Sequence, residues 1–263
     1  MSTLTPRQAR ENARFPFDAY FYHDRVGTVI AAIPKCGCST IKRWLIAMTD
    51  PSALADPTLD VHWHAARTLA LSKQPRDGVE AILRSKPLLA VVRDPAERLR
   101  SAFIDKFVRP GASELMPAAR ELIEDCSRER VSASSDNDES LTFRQFVEYV
   151  GHADPDHLDA HWRPQTAFLR GSRVDTLIPL DRLSTHLDGL AASLGRPDVR
   201  AQPESVTRKE PVTLEGPADV PASELHARNL RPPLAQLADA DVLRVIQERF
   251  AEDAALFARA QTK

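Results

Sequence analysis

The sequence predicts an α/β fold in which helices flank a central, mainly parallel sheet. Two continuous apolar runs, 28–33 and 87–92, are the main reason for this prediction. Runs that are apolar throughout, without alternating polar residues, are typical of strands buried on both faces. A third run at 174–180 is followed by a helical pattern over 183–194, and this alternation of strand and helix indicates parallel pairing.

The other predicted elements surround this sheet within one domain spanning 1–263. The aromatic segment 17–23 is expected to pair with 28–33 as an edge strand of a hairpin. Residues 1–15 are expected to form a charged N-terminal arm or short helix, and the polar stretch 127–140 a mobile surface loop.

Composition narrows the classes of function. The formal net charge is -2, so no overall basic field favours nucleic-acid binding. Two of the three cysteines, Cys36 and Cys38, are too close in sequence for an ordinary disulfide, which favours a reducing compartment. The N-terminus is polar, and no run approaches the roughly 20 apolar residues of a membrane span. A soluble, cytoplasmic protein is therefore expected.

The first candidate site is the turn that follows the strand at 28–33. Pro34 ends the strand, and the helix expected next has Ser39 and Thr40 at its N-cap. A strand, tight turn and helix start direct backbone N–H groups and a helix dipole at one point, which suits phosphate. The residues of this candidate phosphate site are Lys35, Cys36, Gly37, Cys38, Ser39 and Thr40.

This turn is not specific by itself. The full glycine-rich pattern of ATP-binding loops is absent, which argues against an ordinary NTPase. A turn with one glycine and one lysine also occurs as a plain connection with no ligand. A second element must therefore decide between the two interpretations.

That second element follows the apolar run at 87–92. Asp94 is suited to an N-cap, and Pro95 to the first position of the helix. Arg93 then lies at the carboxyl end of a strand, where ligands of open α/β sheets bind. Ser101 comes about two helical turns later and is expected to face the same edge.

Residues 93–103, RDPAERLRSAF, closely resemble the 3′-phosphate-binding motif of the carbohydrate sulfotransferases that include the chondroitin and dermatan enzymes. The turn at 34–40 resembles the family's motif for the 5′-phosphosulfate, and segments 141–149, 161–165 and 248–257 are similar in the same order. The resemblance implies a P-loop-like three-layer sandwich. It also implies transfer of a sulfuryl group from PAPS to a hydroxyl of a carbohydrate or small-molecule acceptor, with release of 3′,5′-ADP.

The resemblance also suggests roles for residues. Arg93 and Ser101 would hold the 3′-phosphate of PAPS, and Lys35 with the rest of the turn would hold the 5′-phosphosulfate. Arg208 and Lys209 are expected to belong to a basic loop over the 3′-phosphate, with a plain solvated loop as the alternative. Animal members have a membrane helix and disulfides that this sequence does not predict, a difference that concerns their polysaccharide substrates and not the sulfuryl donor. The acceptor is expected to be a glycan or a secondary metabolite. No metal is expected.

Three histidines are candidates for the base that deprotonates the acceptor hydroxyl. His62 ranks first, His64 second and His161 third. An extended segment at 60–64 would place His62 and His64 on the same side. Histidines without any chemistry remain an equal alternative, and a metal site would need more ligands than the segment offers.

Two other functions remain open. A nucleotide kinase or NTPase would share the sheet and the phosphate turn but would need a Mg²⁺-binding aspartate after a strand. A non-catalytic nucleotide-binding protein would share the site without requiring a base. The last segment, 239–260, is expected to be one helix that packs through a single apolar face.

Overall fold

A computed structural model describes residues 6–110, 114–130, 140–203, 214 and 216–262. The strands and α-helices are, in chain order, α1 (Pro6–Asn12), β1 (Tyr20–Phe21), β2 (Val29–Ala31), α2 (Cys38–Thr49), α3 (Val61–Thr68), α4 (Arg76–Ser85), β3 (Leu88–Val92), α5 (Pro95–Phe103), α6 (Pro117–Arg130), α7 (Phe143–His152), α8 (Gln165–Leu169), β4 (Thr176–Pro179), α9 (Leu183–Ser193), α10 (Ala222–Ala227), α11 (Leu234–Leu237), α12 (Ala240–Arg249) and α13 (Ala251–Gln261). Short 3-10 helices cover Pro51–Ala55, Leu71–Lys73, Pro155–His157, Leu180–Arg182 and Pro217–Asp219, and a π-helical turn covers Ile104–Val108.

The chain divides into two compact units. The first comprises Met1–Arg93, Pro164–Val206 and Ala255–Lys263, and the second comprises Asp94–Arg163 and Thr207–Ala254. The expectation that both form a single domain stays a prediction.

The first unit contains a four-stranded sheet flanked by helices, in the order β1-β2-β3-β4. Strand β1 is antiparallel to β2, whereas β2, β3 and β4 are parallel to one another. The mainly parallel sheet and the aromatic edge hairpin predicted from the sequence are therefore confirmed.

Burial explains why the apolar runs form the middle of the sheet. All residues of β2 and β3 are buried, so both faces of these strands are covered. Val29 pairs with Leu88, and Leu89 pairs with Thr176. Because β2 and β3 are parallel neighbours, their carboxyl ends meet at one edge of the sheet, where the turn at 34–37 and Arg93 follow.

The second unit has a helical core. Thr142 and Gln145 form a capping box at the start of α7, which sets the beginning of this amphipathic helix. Rings stack or meet edge to face within the core at Phe103, Phe107, Phe143, Phe146 and Trp162. This cluster accounts for the aromatic residues that recur through 103–162.

Two expectations about helices were wrong. The last segment is two helices, because the backbone of Phe250 leaves the helical conformation between α12 and α13. The apolar periodicity continues across Phe250, so the pattern does not reveal the break. Residues 127–130 belong to α6 and are not loop, whereas 131–139 lie outside the described residues, as do 1–5.

Among the described residues, no helix has both the length and the apolar character needed to cross a membrane.

Candidate active site

The turn after β2 has an unusual backbone. Lys35 has φ 67° and Gly37 has φ 79°, both in the left-handed region. Glycine is favoured here by its positive φ. A Cβ on Gly37 would also lie 2.5 Å from Leu183 Cδ2 and 2.8 Å from Leu180 Cδ1, so these side chains would have to shift. Lys35 has a Cβ, so its left-handed conformation is strained.

Helix α2 begins at Cys38, and its N-cap is Gly37, which offers no side-chain hydrogen bond. The expectation that Ser39 and Thr40 form the N-cap was therefore wrong; both lie within the first turn, because Gly37 can adopt the cap position itself. The first N–H groups of a helix have no intrahelical acceptor. The Ile41 N–H bonds to the carbonyl of Gly37 at 3.0 Å, so the amides of 38–40 are the ones that have no intrahelical acceptor.

Arg93 emerges from β3 beside this turn. Its Nη1 donates a hydrogen bond to the carbonyl oxygen of Lys35 at 3.3 Å. Arg93 is half-buried, so part of the residue remains exposed. The structure thus joins Arg93 to the candidate phosphate turn, as expected for residues following neighbouring parallel strands.

Gln165, at the start of α8, fixes this arrangement. Its Oε1 accepts from the Arg93 N–H at 2.9 Å and from the Cys36 thiol at 3.1 Å, and its Nε2 donates to the Arg93 carbonyl at 2.9 Å. The side chain is fully buried. Gln165 lies in a segment that resembles the family, but the sequence indicates no role for it. Its contacts are with Arg93 and Cys36, which are far away in the chain.

His62 lies against the start of α2. Its Nε2 is 2.9 Å from Ser39 Oγ, and its Nδ1 is 3.0 Å from Lys42 Nζ. The imidazole is exposed to solvent. The first-ranked base candidate is therefore in contact with a residue of the phosphate turn.

Lys42 was not singled out from the sequence. It is half-buried, with its ammonium 5.0 Å from the centre of the Phe21 ring. Burial lowers the pKa of Lys42, and the charges of Cys38, Asp18 and Asp60 oppose this shift. Only the spacing of Ser39 and Lys42 on one helix face could have drawn attention to it.

His62 and His64 do not share a side. Residues 61–68 form a helix, since the Asp60 carboxylate accepts hydrogen bonds from the N–H groups of His62 and Trp63 and so caps it. Residues two apart on a helix point in nearly opposite directions. His64 Nε2 is 3.8 Å from a carboxylate oxygen of Asp50, at the other end of α2 from Ser39.

In the second unit, Asp94 caps α5 by accepting from the Glu97 N–H, and Pro95 is the first helical residue, as predicted. Ser101 lies in this helix and is buried. Two arginines of the same helix are buried and bond to backbone carbonyls: Arg98 to Arg163 and Ala160, and Arg100 to Pro232 and Arg231. Much of the 93–103 motif is therefore structural.

His161 also belongs to the second unit. Its Nδ1 lies 2.6 Å from Asp159 Oδ1, and its backbone N–H donates to the same oxygen. This pairing holds the imidazole in place through one ring nitrogen. Arg208 and Lys209 lie outside the described residues, so their expected role stays a prediction.

No group of three or more His, Cys, Asp or Glu side chains suited to a metal occurs in the part of the chain that the structure describes. The phosphate turn instead offers cations and N–H donors.

Comparison with known proteins decides the family. The model of the sulfotransferase family matches residues 18–258, nearly the whole chain. The chain belongs to this family. The matched range includes the phosphate turn, Arg93, Gln165 and all three candidate histidines.

Curated relatives of this sulfotransferase-family chain are named for carbohydrates. Carbohydrate sulfotransferase 14 of Danio rerio is 28% identical over 186 residues, which is 70% of this chain and 50% of the relative. Carbohydrate sulfotransferase 8 of Mus musculus is 31% identical over 54% of this chain and 34% of the relative. Carbohydrate sulfotransferase 10 of Rattus norvegicus is 30% identical over 57% and 42%, respectively.

The chain thus spans between a third and a half of the length of these relatives. No solved structure matches it significantly.

Replacing Gln165 by alanine should destabilise this sulfotransferase-family chain. The change leaves the partly buried N–H and carbonyl of Arg93 without their amide partner, and each such loss costs about 1 to 3 kcal/mol. We expect the free energy of unfolding, measured by urea denaturation, to fall by about 2 to 4 kcal/mol. Gln74→Ala, at an exposed site in the same unit, is the control; equal values for the two variants would contradict a structural role for Gln165.

Proposed function

We propose that the protein is an enzyme that transfers a sulfuryl group from PAPS to a hydroxyl of a carbohydrate acceptor and releases 3′,5′-ADP. The observation that supports this most directly is the hydrogen bond from Arg93 to the carbonyl of Lys35, which joins the two phosphate motifs in a sulfotransferase-family chain. The relatives' names favour a carbohydrate acceptor over a secondary metabolite. The P-loop-like three-layer arrangement belongs to this proposal, as does a cytoplasmic location.

The turn fits the 5′-phosphosulfate of PAPS. The amides of 38–40 begin a 12-residue helix, whose dipole favours an anion. Lys35 adds a full positive charge, and Ser39 and Thr40 add hydroxyl donors within the first turn. A lysine held in a strained conformation at this point is consistent with a role for its side chain.

The 3′-phosphate distinguishes PAPS from ATP, and Arg93 is proposed to bind it. A guanidinium can hold two phosphate oxygens at once, which a lysine cannot do. Ser101, Arg208 and Lys209 are proposed as further ligands on the family resemblance. The proposal needs no metal, because lysine and arginine balance the donor's charge.

The chemistry is an in-line displacement at sulfur, related to phosphoryl transfer, so positioning and charge stabilisation carry the catalysis. Lys35 is proposed to neutralise the bridging oxygen as the 5′-phosphate leaves. His62 is proposed to take the proton of the acceptor hydroxyl. Its contact with Ser39 Oγ, at 2.9 Å, supports His62 over His64, which lies beside Asp50.

Incubation of the purified protein with ³⁵S-labelled PAPS and a panel of glycans, phenols and secondary metabolites tests the function. We expect label to appear on a carbohydrate and 3′,5′-ADP to accumulate in equal amount. Tight binding of 3′,5′-ADP without transfer to any acceptor would instead indicate a nucleotide-binding protein. Transfer of phosphate from ATP would indicate a kinase.

Replacing Arg93 by alanine should weaken the binding of 3′,5′-ADP by about 10- to 100-fold, because a charge-assisted pair with phosphate is lost. Isothermal titration calorimetry measures this change. Affinity for 5′-AMP, which has no 3′-phosphate, should change far less. The hydrogen bonds between the Arg93 backbone and the Gln165 side chain do not depend on the arginine side chain and should survive.

Arg170→Ala is the matched control for the Arg93 variant, since Arg170 is exposed in the same unit and directly follows α8. An unchanged affinity of Arg93→Ala for 3′,5′-ADP, or an equal loss for 5′-AMP, would remove Arg93 from the 3′-phosphate site.

A further inference from the structure

Both ring nitrogens of His62 have partners on one face of α2. Ser39 Oγ lies 2.9 Å from Nε2, and Lys42 Nζ lies 3.0 Å from Nδ1. Ser39 and Lys42 are three residues apart in the helix, so their side chains are neighbours. The imidazole therefore spans from the phosphate turn to a half-buried lysine.

The protonation of Lys42 determines which tautomer this geometry allows. A neutral imidazole has one donor and one acceptor nitrogen. An ammonium can only donate, so a charged Lys42 requires Nδ1 to accept and leaves the proton on Nε2, which then donates to Ser39 Oγ. A neutral Lys42 can accept from Nδ1–H, and Nε2 then accepts from the Ser39 hydroxyl. Only the second arrangement gives Nε2 a lone pair that can receive a proton.

We propose that Lys42 is a positioning residue that sets the tautomer of His62, so that Nε2 can take the proton of the acceptor hydroxyl only while Lys42 is neutral. The catalytic part of this inference rests on the proposed function, in which His62 is the base. The tautomer part concerns only Lys42, His62 and Ser39, and can be measured without any substrate.

The surroundings of Lys42 bring its two protonation states closer in free energy than for a lysine in water. The ammonium form of Lys42 is favoured by electrostatic interactions with Cys38, Asp18 and Asp60. The Phe21 ring, 5.0 Å away, also favours the cation. Burial acts in the opposite direction and is the largest effect, so the pKa of Lys42 is lowered and its neutral form becomes available at a lower pH.

His62 and Lys42 together account for the proton that the acceptor hydroxyl loses during the transfer. The acceptor oxygen forms a bond to sulfur while the bond from sulfur to the bridging oxygen of the 5′-phosphate breaks. The acceptor proton passes to Nε2 of His62, and the Nδ1 proton passes to Nζ of Lys42. His62 is then neutral with its proton on Nε2, and Lys42 is an ammonium. Before the next turnover, Nε2 must lose its proton to solvent and Lys42 must return its proton to Nδ1, which restores the starting state.

Nitrogen NMR of the full chain with ¹⁵N-labelled histidine tests the tautomer directly, because protonated and unprotonated ring nitrogens resonate at well-separated shifts. A His62→Gln sample assigns the signals. As the pH rises through the lowered pKa of Lys42, neutral wild-type His62 should change from the Nε2–H to the Nδ1–H form. Lys42→Arg, which keeps a permanent charge, should hold the Nε2–H form throughout, and Lys42→Met should show no such transition.

Lys73→Arg, an exposed lysine of the same unit, should behave like the wild type. The same tautomer in wild-type, Lys42→Arg and Lys42→Met proteins at every pH would overturn the proposal. Binding of 3′,5′-ADP by each variant shows independently that the variant is folded. A misfolded variant would therefore not be mistaken for a change of tautomer.

Turnover gives the second readout. In the wild type, the turnover number should rise about tenfold per pH unit below the pKa of Lys42. The turnover number of Lys42→Arg should be lowered at all pH values, and that of Lys42→Met should lose the part of the pH dependence that comes from Lys42. A tautomer change with no sulfuryl transfer by any variant would count against the proposed function alone, whereas transfer with identical pH profiles would count against the role of Lys42.

Discussion

Replacing His62 by alanine is expected to lower the turnover number by about 10²- to 10⁴-fold, the usual contribution of a general base. The imidazole is exposed, so its loss should affect the fold little. Affinity for 3′,5′-ADP should remain close to that of the wild type, because His62 is not among the proposed phosphate ligands. Steady-state transfer of ³⁵S-sulfate and calorimetry measure the two quantities separately.

His64→Ala is the matched control, since His64 lies on the same helix but beside Asp50. We expect its turnover number to stay within about threefold of the wild type, as for a substitution outside the site. Full activity in His62→Ala would move the base to His64 or His161. Separate single variants of those two residues would then distinguish them.

The sheet could be predicted because its strands are continuous apolar runs. Burial on both faces of β3 leaves no polar position from Leu88 to Val92, and this pattern is readable without knowing any partner strand. Arg93 could be placed near the phosphate turn for the same reason, since carboxyl ends of parallel strands meet at one edge. The hydrogen bond between Arg93 and Lys35 agrees with that expectation.

Local capping was harder to predict at two places. Ser39 is a good N-cap residue, but Gly37 takes the cap position because the turn already requires a left-handed residue packed against Leu180 and Leu183. The sequence leaves an extended conformation open for 60–64, yet the Asp60 carboxylate caps a helix there. At Gly37 the conformation that the turn requires outweighed the pattern of the segment, and at Asp60 a side-chain cap did so.

Gln165 and Lys42 could not be recognised from the sequence. The role of Gln165 depends on Arg93 and Cys36, which are 72 and 129 residues away in the chain. The role of Lys42 depends on His62 in another helix. Such contacts between distant segments are created by the fold and have no local signature.

Replacing Lys35 by glycine should separate catalysis from stability. Lys35 has φ 67°, which glycine adopts without strain, so the free energy of unfolding should stay within about 1 kcal/mol of the wild-type value. The positive charge proposed to stabilise the leaving 5′-phosphate is lost. Removing one such group costs about 10²- to 10³-fold in turnover number, and we expect a loss of this size in ³⁵S-sulfate transfer.

Lys35→Arg keeps the charge but changes the shape of the donor, and should retain more activity than Lys35→Gly. Lys73→Gly, at an exposed position in the same unit, controls for the general effect of the substitution. If the free energy of unfolding of Lys35→Gly were several kcal/mol below that of the wild type, the role of the lysine would be structural. If it retained wild-type turnover, the charge on the leaving oxygen would be balanced by other residues. A catalytic role for Lys35 requires that Lys35→Gly is as stable as the wild type but transfers sulfate slowly. The strained backbone at Lys35 would then be explained by the function of its side chain.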